Sequence, residues 1–370
     1  MTDNNASQAG EPAIASLTGP TNSTHRLLVE DAVSDLRLLS TDGSARAPGP
    51  LCATNQLPVG RERKTARSSK GIKKPFAAPV AECAGISRRA PGSTAFGCPR
   101  NFLANRFVYT VVSSRARGLS IGINMNPDGL CNFNCVYCEV NRNLPAMERR
   151  LDVGVMVEEL ETTLSLVQSG TIREYAPYRE LSDDLLKLRH VALSGDGEPT
   201  LSPIFAEVVQ GVVHVRARHP KSFFKLALIT NGTGLDSRPV QKSLRYFTCD
   251  DEIWIKLDAG TQSYMKRVNR SKVALENILA NALLIGQQRP IVIQSLFALV
   301  AGEEPPEEEI DEYISRLNHL KLNGAQIALV QIYSASVPVA RPDCRHMPLK
   351  TISRIRQRIK AETGLQAEVF

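Results

Sequence analysis

From about residue 105 onward the chain alternates short apolar runs with helical stretches, and this alternation constrains its fold more than any other feature. Strand-like runs occupy 107–112, 119–124, 191–194, 224–230, 252–257, 290–299 and 325–332. Helical periodicity fills the intervals. Met156, Leu160, Leu164 and Val167 recur on one helix face, and further helices are expected over 205–215, 240–246, 272–285 and 307–320. In the last of these, Ile310, Ile314, Leu317 and Leu320 make one apolar stripe behind an acidic first turn that suits the helix dipole. Strands that are apolar almost throughout are those buried on both faces, as a parallel sheet requires. Strand, helix, strand is the βα unit. Six units fit, fewer than the eight that close a barrel. The expected fold class is therefore α/β, a partial (β/α)6 TIM-like barrel over 105–345, followed by a C-terminal helix over 346–370. The active site of such a fold lies at the carboxyl ends of its strands.

The first 95 residues have a different texture. They are rich in Ala, Ser, Pro, Gly and Arg, with one short apolar patch at Leu27, Leu28 and Val29. Such a segment cannot bury enough apolar surface to offset its chain entropy, so a disordered basic extension is expected over 1–95. Of the net charge of +7, much sits in residues 61–74, where seven basic side chains face one acidic one. That run reads as a solvated tether or as a patch for RNA. It has no interleaved aromatics to stack on bases. No apolar run reaches the roughly 20 residues that span a bilayer. The polar start of the sequence lacks the basic region and apolar core of a signal peptide. A cytoplasmic location and no membrane partner are expected.

Eight cysteines are few for 370 residues, yet three of them, Cys131, Cys135 and Cys138, lie within eight positions. In a reducing compartment such grouping points to metal or redox chemistry rather than a disulfide framework. Spacings of four and three let three thiolates converge from one loop on a single iron–sulfur cluster, which normally takes four. No fourth cysteine is near, because Cys98 lies 33 residues before and Cys249 lies 111 residues after. Three ligands leave one iron open to a bound molecule. Structural zinc would need four closed ligands, and no His or Cys follows at finger-like spacing; His190 precedes a strand instead.

Cys131-Asn-Phe-Asn-Cys135-Val-Tyr137-Cys138, with an aromatic before the third cysteine and at the end of the first barrel strand, resembles the signature of the radical S-adenosylmethionine (SAM) superfamily. The resemblance implies a 4Fe-4S cluster on these three cysteines, whose open iron is chelated by the amino and carboxylate groups of SAM. It implies reductive cleavage of SAM to a 5′-deoxyadenosyl radical that abstracts hydrogen from a substrate. It implies, too, an electron donor such as flavodoxin or ferredoxin.

Motifs further along fit that resemblance. Ser194-Gly195-Asp-Gly197-Glu198-Pro resembles the family's GGEP segment, whose strand-end backbone and carboxylate receive the SAM ammonium. Leu228-Ile-Thr-Asn231-Gly ends the third strand, where Asn231 either contacts SAM or builds the turn. Lys256 and Asp258 share one strand face in Trp254-Ile-Lys256-Leu-Asp258, followed by Tyr264 and Val268-Asn269-Arg270. This pair contacts SAM, acts on substrate, or forms a buried ion pair. Gln294 and Gln331 line the cavity or sit as satisfied core groups. Together, the segments SRARGLSIGINMNPDGLCNFNCVYC, LSGDGEPTL, LITNGTG, WIKLDAG and VQIYS resemble a stand-alone Fe–S oxidoreductase branch. That branch is related to the catalytic domain of the tRNA wyosine-synthesising enzymes. The relation implies tRNA as a possible partner, and in those relatives a second cluster on three upstream cysteines. Cys52, Cys83 and Cys98 do lie upstream here, but their spacings of 31 and 15 are irregular, and they read as incidental thiols. Cys249 and Cys344 have no assigned role, although Cys344 is positioned to reach the barrel mouth. The readings to separate are thus a radical SAM enzyme on an unidentified substrate, a tRNA-modifying relative, and a cluster protein that transfers electrons or senses without cleaving SAM.

Overall fold

The computed structural model describes residues 102–140, 148–218, 223–335, 339 and 341–370. The extension over 1–95, the basic run 61–74 and Cys52, Cys83 and Cys98 lie outside the described residues.

Eight strands form one sheet. β1 (Val108–Ser113) and β2 (Gly118–Asn124) are an antiparallel hairpin. From β2 the sheet continues in parallel through β3 (Leu188–Ser194), β4 (Lys225–Thr230), β5 (Glu252–Lys256) and β6 (Ile291–Leu296). A two-stranded ribbon, β7 (Ala298–Val300) with β9 (Cys344–His346), stands apart. The main sheet is completed by β8 (Ile327–Tyr333) and β10 (Ala367–Val369), both parallel to their neighbours. The order β1-β2-β3-β4-β5-β6-β8-β10 follows the chain, as successive right-handed crossovers give. The sheet curls into an open half-barrel, the partial TIM-like barrel expected from the alternation.

Among the described residues, seven helices make the crossovers and cover the outer face: α1 (Val153–Gln168), α2 (Phe205–Arg218), α3 (Arg238–Leu244), α4 (Gln262–Val268), α5 (Leu275–Gly286), α6 (Glu307–Leu322) and α7 (Leu349–Thr363). Asp152 caps α1, its carboxylate accepting from the Val155 N–H. Three shorter helical turns fold an insert between α1 and β3, packing Ile172 and Tyr178 against Phe102, Val112 and Leu119 as a small satellite core. The strands are not uniformly apolar in section. The registers put Ile121, Val191, Leu226, Ile253, Ile293 and Val330 on one face, buried with helical residues such as Leu160, Val212, Ile278, Ile314 and Ile355. Each such side chain is worth roughly 1.5–3 kcal/mol on burial. The opposite face carries Ser120, His190, Trp254, Lys256, Gln294 and Gln331. One face holds the molecule together, while the other supplies polar groups to the barrel interior.

Two features depart from expectation. The region 346–370 is not a helix throughout: α7 ends at Gly364, in the left-handed region (φ 69°), and the chain turns back into β10. The final strand thereby joins the barrel sheet. The first extended run is also more than a lead-in, since Tyr109 of β1 crosses the interior to bond Ser194 Oγ at 2.9 Å. Gly122 makes the crossing possible, because a Cβ there would lie 2.2 Å from the Tyr109 ring. The two edges of the open barrel meet through side chains, with Arg117 of the β1–β2 hairpin ion-paired to Glu368 of β10 and Arg115 stacked 4.2 Å from the Tyr333 ring. Among the described residues, no helix is long and apolar enough to cross a membrane.

Candidate cluster and cofactor site

The cysteine loop leaves β2 at Asn124 and lies across the carboxyl ends of the strands. Backbone bonds fix it on two sides. Met125 N–H donates to Ser194 O at 2.8 Å and Glu198 N–H to Leu130 O at 2.9 Å, joining the loop to the end of β3. On the far side, Asn134 and Val136 N–H groups donate to the Asn269 and Val268 carbonyls at 2.9 Å each, at the end of α4. Phe133, Val136 and Tyr137 turn inward and are buried, leaving Cys131, Cys135 and Cys138 half-buried on the same loop. Among the described residues, no three His, Cys, Asp or Glu side chains are drawn close enough to chelate a single metal ion. Three thiols on one loop match instead the donor set of an iron–sulfur cubane, whose several iron atoms stand between its ligands. Burial, then Asp258, pushes the Cys135 thiol up to about 11, opposed by Lys256 and Asn269.

The Gly195–Glu198 segment serves this loop directly. A Cβ on Gly195 (φ +132°) would lie 2.2 Å from Asn124 Oδ1, and one on Gly197 would lie 2.0 Å from Leu130 O. The glycines let the β3 end pack against the chain's own cysteine loop. Glu198 is 2% exposed, and its oxygens accept from Thr200 N–H (3.1 Å), Thr200 Oγ1 (2.6 Å), Thr230 Oγ1 and Asn231 N–H (2.7 Å). Burial raises this carboxyl above its ordinary range, and these bonds pull it back. Four donors of the chain meet the Glu198 carboxylate, and it braces β3 to β4. Asn231 likewise builds the loop seat, donating from Nδ2 to Asn132 Oδ1 at 2.8 Å, with Cys131 Sγ at 4.0 Å. Nearby, Asn126 Oδ1 is buried with no partner among the described residues.

Deeper in the barrel the predicted Lys256–Asp258 pair stands, with Nζ 3.5 Å from Oδ1. Asp258 does more than pair with the lysine. Its Oδ1 accepts from Leu296 N–H at 2.9 Å, and its Oδ2 from the Tyr137 hydroxyl and from Asn269 Nδ2 at 2.8 Å. Lys256 donates to the Tyr333 hydroxyl at 2.9 Å and lies 5.0 Å from the Tyr137 ring centroid. Burial pulls the Lys256 ammonium down, but Asp258 and then Tyr333 outweigh it and hold it above its ordinary value, so it stays charged. Burial beside Asp258 holds the Tyr137 phenol well above its ordinary value, keeping it a donor. Gln294 donates to Gln331 Oε1 at 2.8 Å, two buried amides paired across β6 and β8. The loop after β5 is clamped from outside: Glu309 of α6 accepts from Thr261 Oγ1, and a Cβ on Gly260 would lie 2.1 Å from Tyr313 N.

Of the residues singled out in the sequence, the structure brings Tyr137, Lys256, Asp258 and Cys135 into one contact network and groups Ser194, Gly195, Gly197, Glu198 and Asn231 around the cysteine loop. Cys344 belongs to neither; it is buried in the apolar core on β9. Cys249 is exposed. Asn269 carried no role in the sequence, yet its amide meets Cys135 Sγ at 3.4 Å, Tyr137 and Asp258. Its only sequence signal is its place in Val268-Asn269-Arg270, shortly after Lys256 and Asp258.

No protein-family model matches the chain. A UPF0026 protein of Synechocystis is 28% identical over 187 residues, covering 49% of this chain and 60% of that protein. A UPF0026 protein of Helicobacter pylori is 29% identical over 167 residues, 44% of this chain and 46% of that protein. The matches thus span at most three-fifths of these relatives' length. Similar solved structures include TYW1 with a lysine-pyruvate adduct bound, at a TM-score of 0.43 and 18% identity over 66% of this chain and 74% of that one. Streptococcus suis SuiB bound to S-adenosylmethionine matches at 0.46 and 13% identity, over 66% of this chain and 49% of that one.

Proposed function

We propose that the chain is a radical SAM enzyme, with Cys131, Cys135 and Cys138 holding a 4Fe-4S cluster whose fourth iron is left to SAM. The observation that carries this reading is the seating of the cysteine loop. It lies at the carboxyl ends of a parallel half-barrel, and Gly195 and Gly197 are packed under it so closely that no side chain fits. A mere electron carrier needs neither the barrel nor that strand end. When bound, the cluster and SAM together supply one-electron chemistry that begins hydrogen abstraction from a substrate.

The chain's own residues then have separable tasks. Ser194, Gly195 and Gly197 present strand-end backbone to SAM, and Glu198 keeps that strand end in register with Asn231 on the next. Phe133 and Val136 seal the loop from water on its inner side. Lys256, charged and 18% exposed in its side chain, faces the interior beside Gln294 and offers a cation to an anionic group of SAM or substrate. Asp258 keeps Lys256, Tyr137 and Asn269 in one arrangement, and in that sense the pair named in the sequence acts in catalysis by placement. The electron comes from a protein donor such as flavodoxin or ferredoxin. A tRNA substrate is favoured by the net charge of +7.

Anaerobic reconstitution followed by dithionite and SAM tests the enzyme reading. The wild-type protein is expected to release 5′-deoxyadenosine. A fully loaded cluster that releases none would leave an electron-transfer or sensory protein. RNA that co-purifies at low salt and is lost as salt rises supports the tRNA substrate, and RNA-free protein at low salt removes it.

A further inference from the structure

We infer that Asn269 is a positioning residue that raises the reduction potential of the cluster proposed on Cys131, Cys135 and Cys138 by donating an amide N–H to the Cys135 sulfur. The inference rests on the cluster reading above.

The geometry makes this amide unlike any other at the mouth. Asn269 is 2% exposed, and its Nδ2 lies 3.4 Å from Cys135 Sγ, 2.9 Å from the Tyr137 oxygen and 2.8 Å from Asp258 Oδ2. A carboxylate only accepts, so Asp258 requires that the amide turn its nitrogen, not its oxygen, toward this corner. The second N–H is then left to the sulfur and the phenol oxygen. The phenol oxygen, whose own hydrogen is given to Asp258, accepts at 2.9 Å as well, so this N–H is shared between oxygen and sulfur. The backbone removes the remaining freedom. Asn269 O accepts from Asn134 N–H at 2.9 Å, and Asn269 N–H donates to Met265 O at 2.8 Å, so loop, helix end and amide are one unit.

Two of the sulfurs meet a donor at 3.4 Å, Cys131 the backbone N–H of Phe133 and Cys135 the side-chain amide of Asn269, and only the second can be removed by substitution. Asn231 approaches Cys131 only to 4.0 Å while donating to Asn132 at 2.8 Å, too distant for more than a marginal bond to sulfur. A donor on a ligating sulfur draws electron density from it and favours the more negative, reduced cluster. Reduction here takes one electron from an external reductant and releases no proton, so the effect falls entirely on the midpoint potential.

The test is a redox titration of the reconstituted holoprotein, followed by the paramagnetic signal of the reduced cluster, without SAM. Asn269→Ala is expected to keep its cluster and to shift the midpoint to more negative potential. Asn231→Ala is expected to shift it less. An unchanged midpoint in a fully loaded Asn269→Ala protein overturns the inference and leaves the enzyme reading intact. Should that variant load poorly, wild-type protein carrying isotope-labelled asparagine decides. Hyperfine coupling of one side-chain amide nitrogen to the reduced cluster, absent in Asn269→Ser, supports the inference; its absence from wild type overturns it. A wild-type protein that binds no cluster at all defeats both readings together.

Discussion

Polar side chains at the barrel mouth and polar side chains on the outer surface between α6 and α7 do different work. At the mouth, Glu198, Asn231, Asp258 and Asn269 are buried, and each bridges segments far apart in sequence, mostly through backbone or neutral donors. Between α6 and α7, Arg358 meets Glu307, Asp311 and Glu362, and Arg354 meets Glu304 and Glu307, all with substantial exposure. More formal charge pairs are gathered on the outer surface, yet the inner region carries more of the consequence. A buried acceptor left without donors loses its solvation outright, whereas an exposed ion pair exchanges water for a partner of nearly equal worth.

Substitutions can break or sharpen that contrast. The largest effect is expected from Cys135→Ala, which should lose the cluster's visible absorbance and all SAM cleavage after reconstitution; full loading would exclude Cys135 as a ligand. Next is Gly197→Ala, whose Cβ would overlap Leu130 O. A destabilisation of about 3 kcal/mol is expected from strain in a packed backbone, read by urea denaturation. Glu198→Gln places an amide N–H₂ among donors and is expected to cost about 2 kcal/mol, with a smaller cluster yield; unaltered stability would mean that the brace is dispensable.

His190 tests the interior under acid. Burial, then Lys225 and Arg115, lowers its imidazole to about 4, while the ring stacks edge-on against Trp254. A folded value below the unfolded one means that the unfolded chain takes up the proton first. Stability is therefore full at neutral pH and falls as pH drops from about 6.5 toward 4, by about 1 kcal/mol at pH 5.5. His190→Phe should flatten that part of the profile. The smallest effect is expected on the outer surface, where Arg358→Ala should cost less than about 1 kcal/mol and should matter less as salt rises. A larger loss there would erase the contrast.

The contrast also explains what could be read from sequence. The parallel strands, the covering helices and the cysteine loop announce themselves through local periodicity and spacing, since apolar runs and a CxxxCxxC segment are complete within a few residues. Lys256 and Asp258 were legible as partners because they are two positions apart on one strand. Asn269 was not, for its contact with Cys135 closes a separation of 134 residues. The same limit hid the bracing by Glu198, two of whose four donors come from Thr230 and Asn231 at the end of the next strand, and the part of Gly122, whose absent side chain matters because of Tyr109. The last strand was missed because a short run after a glycine acquires an identity only from β8 beside it.

The Arg117–Glu368 contact joins positions 251 apart in sequence, and both partners are largely in solvent. Beside it, Arg115 lies against the Tyr333 ring, so among the described residues the two sides of the open barrel are joined here by side chains and not by a strand ladder. An exposed ion pair adds little stability, so the barrel keeps its shape through the parallel ladder from β2 to β10 rather than through this seam.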